Sequence, residues 1–228
     1  MTAPIPSSAP RGKLITFEGP EGAGKSTQAA MLIAKLEARG IGVLYSREPG
    51  GTPLGEAIRG ILQFNTAGEA PCPESEVLLF EASRAQLVRH VILPALERGT
   101  WVVCDRFADS TTAYQGYGRS FPVPLMETLN QFAIGPAVPD ITLLLDVNVS
   151  LGLQRCAKRE SGKAVKYDRI ESEALSFHEK VRQGYLDLAR RAPGRFRIID
   201  AMRHVDAIHA DVWDAVRTAF FPDEPADA

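Results

Sequence analysis

The sequence contains few cysteines, and their positions match neither a disulfide framework nor a zinc site. Only Cys72, Cys104 and Cys156 occur among 228 residues. Three is an odd number, the spacings are unpaired and no histidine pattern lies nearby, so we expect free thiols in a reducing, cytoplasmic compartment. Cys104 lies inside an apolar run and is expected to pack as a buried thiol.

Long apolar runs and an excess of charge of one sign are also missing. The run at 141–147, among the longest, includes one Thr and one Asp and is far too short to cross a bilayer. The formal net charge is −2, so no long-range attraction to nucleic acid or to an anionic membrane is expected. Any phosphate binding must therefore be local.

The two ends of the chain differ in composition from the rest. Residues 1–11 lack both a basic and an apolar segment, which predicts a disordered tail rather than a signal peptide. Residues 221–228 are acidic and contain proline, and they predict a second tail. No linker or repeat divides residues 12–220, and the 45% hydrophobic content supports a substantial core. We therefore expect a single domain over 12–220.

Short apolar runs alternate with helical patterns along this domain. The runs lack the strict alternation of a half-exposed strand, which is typical of strands covered on both faces. The order predicts an α/β fold in which a five-stranded parallel sheet is flanked by helices. The candidate strands are residues 14–18, 42–46, 101–105, 141–147 and 196–200.

Helical patterns fill the intervals between these strands. An apolar stripe with i, i+4, i+7 spacing indicates a first helix, which Gly40 is expected to end. Pro94 should bend or interrupt a long helical region over residues 74–98. Ser150 is a candidate N-cap, and the polar, lysine-containing segment 161–166 predicts a mobile loop. Further helices are predicted over residues 150–159, 171–190 and 204–219.

A glycine-rich segment lies directly between the first predicted strand and its helix. Residues 19–26, GPEGAGKS, match G-x-x-x-x-G-K-[ST], a loop whose backbone N–H groups surround phosphate oxygens. The following helix points its positive end at the same anion. Lys25 would reach the β- and γ-phosphates, and the Ser26 hydroxyl would bind Mg²⁺. The residues predicted to bind ATP are Gly19, Pro20, Glu21, Gly22, Ala23, Gly24, Lys25, Ser26 and Thr27.

Asp105 and Arg106 follow the third strand of the chain, at the sheet edge where ligands of open α/β folds bind. Asp105 is a candidate Mg²⁺ ligand, and Arg106 could hold a second phosphate through its planar donors. The alternative is a salt bridge that closes the strand end. A regulatory GTPase would carry Asp-x-x-Gly and Asn-Lys-x-Asp, and an ATPase motor would carry adjacent acidic residues here. Neither pattern occurs.

Five segments together resemble bacterial thymidylate kinases, over about residues 13–217. The resemblance implies a three-layer P-loop kinase fold with a mobile basic lid at about 155–168. It also implies transfer of the γ-phosphoryl of ATP to dTMP, giving dTDP and ADP in dTTP synthesis, with Mg²⁺ as cofactor and a homodimeric assembly. The segments are FEGPEGAGKST (17–27), REPGGT (47–52), LLFEASR (78–84), DRFADSTTAYQGYGR (105–119) and the basic stretch that ends in YDRIE (167–171).

The resemblance assigns a base pocket. Phe80 and Arg84 lie four apart on one helix face, and they match a pair that stacks on thymine and hydrogen-bonds its carbonyl. Without the resemblance, Phe80 would be read as core and Arg84 as solvent-exposed. Thr111 and Gln115 match residues that contact the base, and Tyr114 matches an aromatic residue beneath the deoxyribose, where a 2′-hydroxyl would collide.

The resemblance also assigns the acceptor phosphate and sugar. Glu48 matches a residue that faces the acceptor, and its bond to Pro49 is often cis in the family. Arg59 matches a residue that contacts the acceptor phosphate; an exposed helix arginine is the alternative. Glu21 matches an acidic residue near the sugar 3′-hydroxyl or the metal.

The catalytic cation is the least determined part of the resemblance. Some relatives have an arginine in the P-loop at the position of Gly22, and in forms without it the cation comes from the lid. Arg155 and Arg159 lie one helical turn apart and are the candidates, although a solvated basic helix is the ordinary interpretation of such charges. Other nearby cations are Lys158, Lys163, Lys166 and Arg169.

Two other functions remain open from the sequence. The acceptor could be a different nucleoside monophosphate or a deoxynucleoside, and tolerance for dUMP is undetermined. A P-loop binding module that binds ATP without phosphorylating a small molecule is the alternative from another class.

Overall fold

The computed structural model describes residues 10–160 and 169–224, with side chains omitted at residues 159 and 160. The described residues form one five-stranded sheet in which every pairing is parallel. The strands lie in the order β2-β3-β1-β4-β5. Their bounds are β1 Leu14–Glu18, β2 Val43–Arg47, β3 Trp101–Asp105, β4 Ile141–Asp146 and β5 Phe196–Asp200. The predicted α/β architecture is confirmed, with strand ends correct to within one residue.

Helices cover both faces of this sheet. The α-helices are α1 Lys25–Ala38, α2 Pro53–Phe64, α3 Pro73–Leu87, α4 Leu93–Glu97, α5 Ala108–Thr111, α6 Val123–Ile134, α7 Val149–Glu160, α8 Leu175–Arg191 and α9 Val205–Phe220. Two π-helical turns, Val88–Ile92 and Thr112–Gly118, connect some of them. The result is the three-layer arrangement that a parallel sheet with crossover helices requires.

The central strand β1 shows why both faces must be covered. All five of its residues are buried. Ile15 packs with the cluster that includes α1 and α9, whereas its neighbour Leu14 packs with the cluster that includes the end of α3 and α4. Consecutive strand residues point to opposite faces, so an unbroken apolar run is buried only between two helical layers.

The proline-containing region behaves as expected. The predicted long helix over 74–98 is split into α3, a π-helical turn and α4. Pro94 has no N–H to donate to the carbonyl of His90, and its ring would collide with that carbonyl in a regular α-helix. The π-helical turn directly before α4 relieves this conflict by widening the backbone.

Other helix boundaries differ from the predictions. Helix α7 begins at Val149, and Asn148 Oδ1 accepts from Leu151 N at 3.3 Å, so Ser150 is not the N-cap. Helix α8 begins at Leu175 rather than near 171, because residues 169–172 form turns that lead into the helix. Three helices, α2, α5 and α6, had no predicted bounds. For α2 a signal was present, since Thr52 Oγ1 accepts from Gly55 N and Pro53 occupies the first turn.

Cysteine placement and membrane character complete the description. The three cysteines are free, and Cys104 is a fully buried thiol, as predicted. Burial, with Glu48 nearby, raises the pKa of Cys104 well above its usual value. Across residues 10–160 and 169–224, no helix has the length and apolarity that crossing a membrane requires.

Candidate active site

One cavity of about 380 Å³ lies at the carboxyl ends of β1, β2 and β3. It brings the P-loop together with residues that are far away in the sequence, as expected at this edge of a parallel sheet. The predicted site residues in its lining are Glu21, Gly22, Gly24, Lys25, Ser26, Thr27, Glu48, Arg59, Phe80, Arg84, Asp105, Arg106, Thr111, Tyr114 and Gln115. Gly19, Pro20 and Ala23 belong to the same loop without being part of the lining.

Lys25 arches back over the P-loop that precedes it. Its Nζ donates to the carbonyl oxygens of Gly19 and Pro20 at 3.0 and 2.9 Å. Burial, together with the positive charge of Arg106, lowers the pKa of Lys25. No acidic side chain occupies the first turn of α1, so the positive end of this helix and its free N–H groups are available to an anion.

Glycine at position 22 is required by contact between the P-loop and α7. Gly22 has a φ of +67°, and a Cβ there would lie 2.0 Å from the carbonyl oxygen of Gly152. A Cβ at Gly152 would in turn lie 2.2 Å from the carbonyl oxygen of Glu21. The two backbones therefore touch, and an arginine side chain at position 22 would force α7 away from the loop.

The two predicted metal ligands are adjacent. Ser26 Oγ donates to Asp105 Oδ2 at 2.5 Å, although 79 residues separate them. Ser26 comes from the first turn of α1, and Asp105 is the last residue of β3, so neighbouring strands bring the two groups together. A hydroxyl and a carboxylate are the oxygen donors that Mg²⁺ prefers.

Arg106 connects the end of β3 to the P-loop. Its φ is +67°, a left-handed conformation that non-glycine residues rarely adopt outside constrained sites. In this conformation Arg106 N donates to the carbonyl of Phe17 at 2.9 Å. Its side-chain Nη2 donates to Glu21 Oε1 at 2.7 Å, and Nη1 donates to the carbonyl of Gly19 at 3.2 Å. The ion pair that was the alternative interpretation is present, and the same guanidinium lines the cavity.

Glu21 is a partly buried P-loop carboxylate that its neighbours hold in the charged form. Its Oε1 accepts from Arg106 and also from Tyr114 Oη, both at 2.7 Å. Burial alone would raise the pKa of Glu21, but the charges of Arg106 and Lys25 outweigh that effect and lower it to about 2. Tyr114 thereby joins the acceptor side of the cavity to the P-loop, and the Arg106 guanidinium lies 4.9 Å from its ring centroid.

Arg84 is buried, with all of its donors engaged. Nε and Nη2 donate to Glu48 Oε2 at 2.8 and 2.6 Å. Nη1 donates to Glu81 and Asn130 at 2.8 Å each, and Nη2 also donates to the carbonyl of Phe107 at 3.2 Å. A guanidinium has five N–H donors, so a hydrogen bond to a base would have to share one of them. Direct base contact by Arg84 stays a prediction.

The pKa of Glu48 lies above that of an ordinary glutamate despite its cationic partner. Burial raises the pKa of Glu48 to about 7, against the opposing charge of Arg84. Its second oxygen, Oε1, is buried and has no hydrogen-bond partner among residues 10–160 and 169–224. The peptide bond from Glu48 to Pro49 is cis, as the family resemblance implied. Arg59 Nη1 donates to the carbonyl of Pro49 at 3.0 Å and lines the cavity.

The base-contacting residues that the resemblance implied also meet here. Thr111 is 1% exposed, and its Oγ1 has no hydrogen-bond partner in the part of the chain that the structure describes. Gln115, equally buried, donates from Nε2 to Glu76 at 2.9 Å. Phe80 is half-buried on the same wall. A flat apolar surface and a few oriented polar atoms form the kind of pocket that recognises a planar base.

The lid residues divide into two groups. Arg155 Nη1 donates to the carbonyl of Ala201 at 2.9 Å and to that of Gly22 at 3.5 Å, so this side chain lies against the P-loop backbone. Arg159 belongs to α7, but its side chain lies outside the described residues, as do Lys163 and Lys166. The role of the predicted lid, residues 155–168, therefore stays a prediction.

Several lining residues escaped sequence reasoning: Tyr45, Arg47, Gln63, Ser110, Ile170 and Glu171. A signal existed for Arg47, the last residue of β2, because strand ends at this edge face the ligand. Ser110 lies in α5, four residues after Arg106, and its closeness to the strand end was a signal of the same kind. Ile170 and Glu171 end the YDRIE stretch that carries part of the resemblance, which assigned them no role.

Beneath the P-loop, Glu18 ends β1 as a fully buried carboxylate. It accepts from Phe107 N at 2.8 Å, Ser110 Oγ at 2.6 Å and Tyr185 Oη at 3.0 Å. Burial and the negative charge of Asp109 raise the pKa of Glu18 to about 7. The residue before the phosphate loop therefore titrates near neutral pH.

Comparison with known proteins gives a consistent result. A family model described as thymidylate kinase matches residues 17–212. A thymidylate kinase from Deinococcus radiodurans is 50% identical over 206 residues, which cover 90% of this chain and 97% of that protein. One from Pelotomaculum thermopropionicum is 50% identical, covering 90% and 93%. The crystal structure of a thymidylate kinase from Ehrlichia chaffeensis superposes with a TM-score of 0.72 at 34% identity, covering 91% of this chain and 99% of that one.

Substitution of Gly152 tests the contact between α7 and the P-loop. We expect Gly152→Ala to weaken ATP binding about tenfold or more, because its Cβ would push the carbonyl of Glu21 and distort the loop. Calorimetric titration with ATP measures the effect. Gly194→Ala is the matched control, since a Cβ there meets nothing within 4 Å. Unchanged ATP affinity in Gly152→Ala would contradict the contact.

Titration of Glu18 predicts a pH-dependent stability difference. Its folded-state pKa of about 7 exceeds the usual 4.5, so between these values the folded state holds a proton that the unfolded state has lost. This contribution to the free energy of unfolding therefore falls as pH rises from about 5 to about 7 and is constant above. In Glu18→Gln this pH-dependent contribution is absent. The amide can still donate to the hydroxyls of Ser110 and Tyr185 and accept from Phe107 N.

Urea unfolding at pH 5 and pH 8 measures this effect. As the pH rises from 5 to 8, the free energy of unfolding of Glu18→Gln should increase relative to that of the unaltered protein by about 2 kcal/mol. The comparison between variants is needed because burial lowers the pKa of His178 and His209, which gives a contribution of opposite sign. Exposed Glu97→Gln is the control. A pH-independent difference for Glu18→Gln would show that Glu18 is already ionised at pH 5.

Proposed function

The chain belongs to the thymidylate kinase family, and from this premise we propose that it transfers the γ-phosphoryl group of ATP to dTMP, giving dTDP and ADP in dTTP synthesis. The observation that carries the proposal is the single cavity in which the P-loop and the acceptor-side residues face each other. Phosphoryl transfer between two nucleotides requires such an arrangement, because both must be held in line within one water-excluding site.

The ATP half of the proposal is supported by the P-loop. Backbone N–H groups between Gly19 and Ser26, and the N-terminal end of α1, would surround the β- and γ-phosphates. Lys25 is buried next to the P-loop backbone, and its Nζ donates to the carbonyl oxygens of Gly19 and Pro20. We propose that its Nζ turns from these carbonyls to a phosphate oxygen, where its positive charge is worth more than a neutral hydrogen bond.

A magnesium ion fits the adjacent hydroxyl and carboxylate. We propose that Ser26 and Asp105 hold it, directly or through water, because the 2.5 Å contact between them already places two oxygen donors at the phosphate end of the cavity. When bound, the ion supplies positive charge that offsets the charge of the phosphate oxygens.

The acceptor half is proposed for the wall that α3, the end of α5 and the second π-helical turn form. Phe80 would stack on the thymine, Thr111 and Gln115 would contact its edge, and Tyr114 would lie beneath the deoxyribose. Arg84 would share one of its five engaged donors with the thymine carbonyl while it supports Glu48 and the cavity wall.

The acceptor phosphate would lie between a cationic group from α2 and one that follows the end of β3. Arg59, held at the carbonyl of Pro49, and Arg106, held at Glu21, both line the cavity. Arg47 lies beside Arg59 and donates to the same Pro49 carbonyl at 3.3 Å, so it extends the cationic surface. Placement of the acceptor by such planar donors is what an in-line attack requires.

The reaction needs no general base. An oxygen of the dTMP phosphate is already anionic, and it forms a bond to the γ-phosphorus as the bond to the bridging oxygen of ADP breaks. Cations near the transferred group stabilise the charge that spreads over its oxygens. We propose that Arg155 or Arg159 adds a further charge from α7, since position 22, where some relatives have an arginine, is glycine.

Assembly and location are also proposed from the family. Leu54 of α2, Leu78 of α3 and Phe132 of α6 expose 51%, 59% and 83% of their surfaces. Helices α2, α3 and α6 pack side by side, so these residues are candidates for a homodimer interface. Sedimentation at the mass of a single 24.8 kDa chain would contradict a dimer. We propose a cytoplasmic location on the same family basis.

A panel of acceptors tests the proposed function. ADP release from Mg-ATP should be fast with dTMP and slower with dUMP, dCMP, dGMP and ribothymidine monophosphate. Comparable turnover with thymidine would favour a deoxynucleoside kinase instead. ATP binding without acceptor-dependent ADP release would favour a binding module and overturn the proposal.

Lys25→Ala tests the role of the P-loop. We expect kcat to fall at least about 100-fold, because a charge directed at the transferred phosphate is lost. The far-UV circular dichroism should be unchanged. Exposed Lys180→Ala on α8 is the control and should retain full activity. Activity within a fewfold of the unaltered protein would exclude Lys25 from the mechanism.

Arg155→Ala and Arg159→Ala test the source of the lid cation. Removal of the arginine that contacts the transferred phosphoryl group should lower kcat by about 10²–10³-fold, with a smaller change in ATP affinity. Steady-state rates at saturating ATP and dTMP measure this. If neither variant lowers kcat, another cation carries the role.

A further inference from the structure

Glu76 of α3 is a buried carboxylate that does not line the cavity. It is 1% exposed and accepts from Gln115 Nε2 at 2.9 Å. It also accepts from Nε and Nη2 of Arg119, at 3.3 Å each, and from Nη2 of Arg169. Burial alone would raise the pKa of Glu76, but the hydrogen bonds from Gln115, Arg119 and Arg169 outweigh it, and the pKa is lowered. Glu76 is therefore ionised at neutral pH.

An ionised carboxylate can only accept hydrogen bonds, and this fixes the amide of Gln115. The NH₂ group must face Glu76, since the opposite orientation would place two oxygens against each other. Gln115 lines the cavity, and its Oε1 has no hydrogen-bond partner in residues 10–160 and 169–224. With its NH₂ group held at Glu76, the oxygen that Gln115 can offer to a ligand is an acceptor of fixed orientation.

We propose that Glu76 is a specificity-determining positioning residue, which presents the carbonyl oxygen of Gln115 to the N3–H of a thymine base. The inference rests on the proposed function, because it concerns the base of the same acceptor. It adds a residue that touches no substrate and acts through the orientation of another side chain.

The chemistry of pyrimidines makes this orientation selective. Thymine and uracil carry a hydrogen on N3, whereas cytosine has a lone pair there. An acceptor fixed at this position pairs with N3–H and repels the cytosine lone pair, so a buried site of this kind rejects the wrong base strongly. An amide free to turn over would accept either base. The discrimination between thymine and cytosine therefore originates at Glu76, which contacts Gln115 but does not line the cavity.

The substitution Glu76→Gln tests the proposal. Arg119 and Arg169 would hydrogen-bond to the one oxygen that remains on the side chain of residue 76. The NH₂ group of that side chain would therefore face Gln115. The amide of Gln115 would then turn over, presenting a donor to the cavity. We expect the ratio of kcat/KM for dTMP to that for dCMP to fall about tenfold or more. The change should lie mainly in the KM for dTMP, with the KM for ATP unaltered.

Two further variants separate orientation from simple loss of stability. Glu74→Gln changes an exposed residue of the same helix and should behave as the unaltered protein. The exchange variant Glu76→Gln/Gln115→Glu restores an acceptor to the cavity and keeps one carboxylate and one amide in the pair. It should recover part of the dTMP preference lost in Glu76→Gln, which a merely structural role would not produce.

The unaltered protein offers a test that does not depend on folding of a variant. dTMP methylated at N3 lacks the hydrogen and should bind at least about tenfold more weakly than dTMP in calorimetric titration. Equal affinity for the two, or an unchanged dTMP preference in folded Glu76→Gln, would overturn the inference. Failure of the unaltered protein to phosphorylate dTMP would instead overturn the proposed function, so the two failures are distinguishable.

Discussion

The ion pair between Arg106 and Glu21 joins the two halves of the site. Arg106 directly follows β3, and Glu21 lies in the P-loop after β1. Glu21 Oε1 accepts a hydrogen bond from Arg106 and another from Tyr114 on the acceptor wall. Arg106 adopts an unfavourable left-handed backbone conformation, which directs its guanidinium group into the P-loop. Because adjacent parallel strands place both loops at one edge, a single contact sets the distance between the triphosphate and acceptor halves.

Around this contact, the site is built from charges that are buried and paired. Arg84 is surrounded by Glu48 and Glu81, and Glu76 holds Gln115 and two arginines. Removal of one partner from such a pair typically costs about 3–5 kcal/mol, because the other charge stays buried. The networks therefore couple the positions of these side chains to one another, which suits a site that must hold two nucleotides in line.

Sequence reasoning succeeded where the signal is local. The strands appear as short apolar runs, and the P-loop is a contiguous motif between β1 and α1. It failed where tertiary contacts decide. The sequence around Arg84 does not predict that its five N–H groups meet acceptors on Glu48, Phe107 and Asn130 as well as on nearby Glu81. Glu76 likewise resembles any other glutamate in the first turn of a helix. Family resemblance identified Gln115 but gave no reason for its orientation, since that reason lies in a neighbour distant in sequence.

The central claim is that one cavity holds both nucleotides across the Arg106–Glu21 contact. The most direct test is calorimetric titration with a compound in which adenosine and thymidine are joined through their 5′ positions by a chain of phosphates. The structure predicts one molecule bound per chain, displaced by ATP alone and equally by dTMP alone. Displacement by only one of these nucleotides would show that their sites are separate and would contradict the shared cavity.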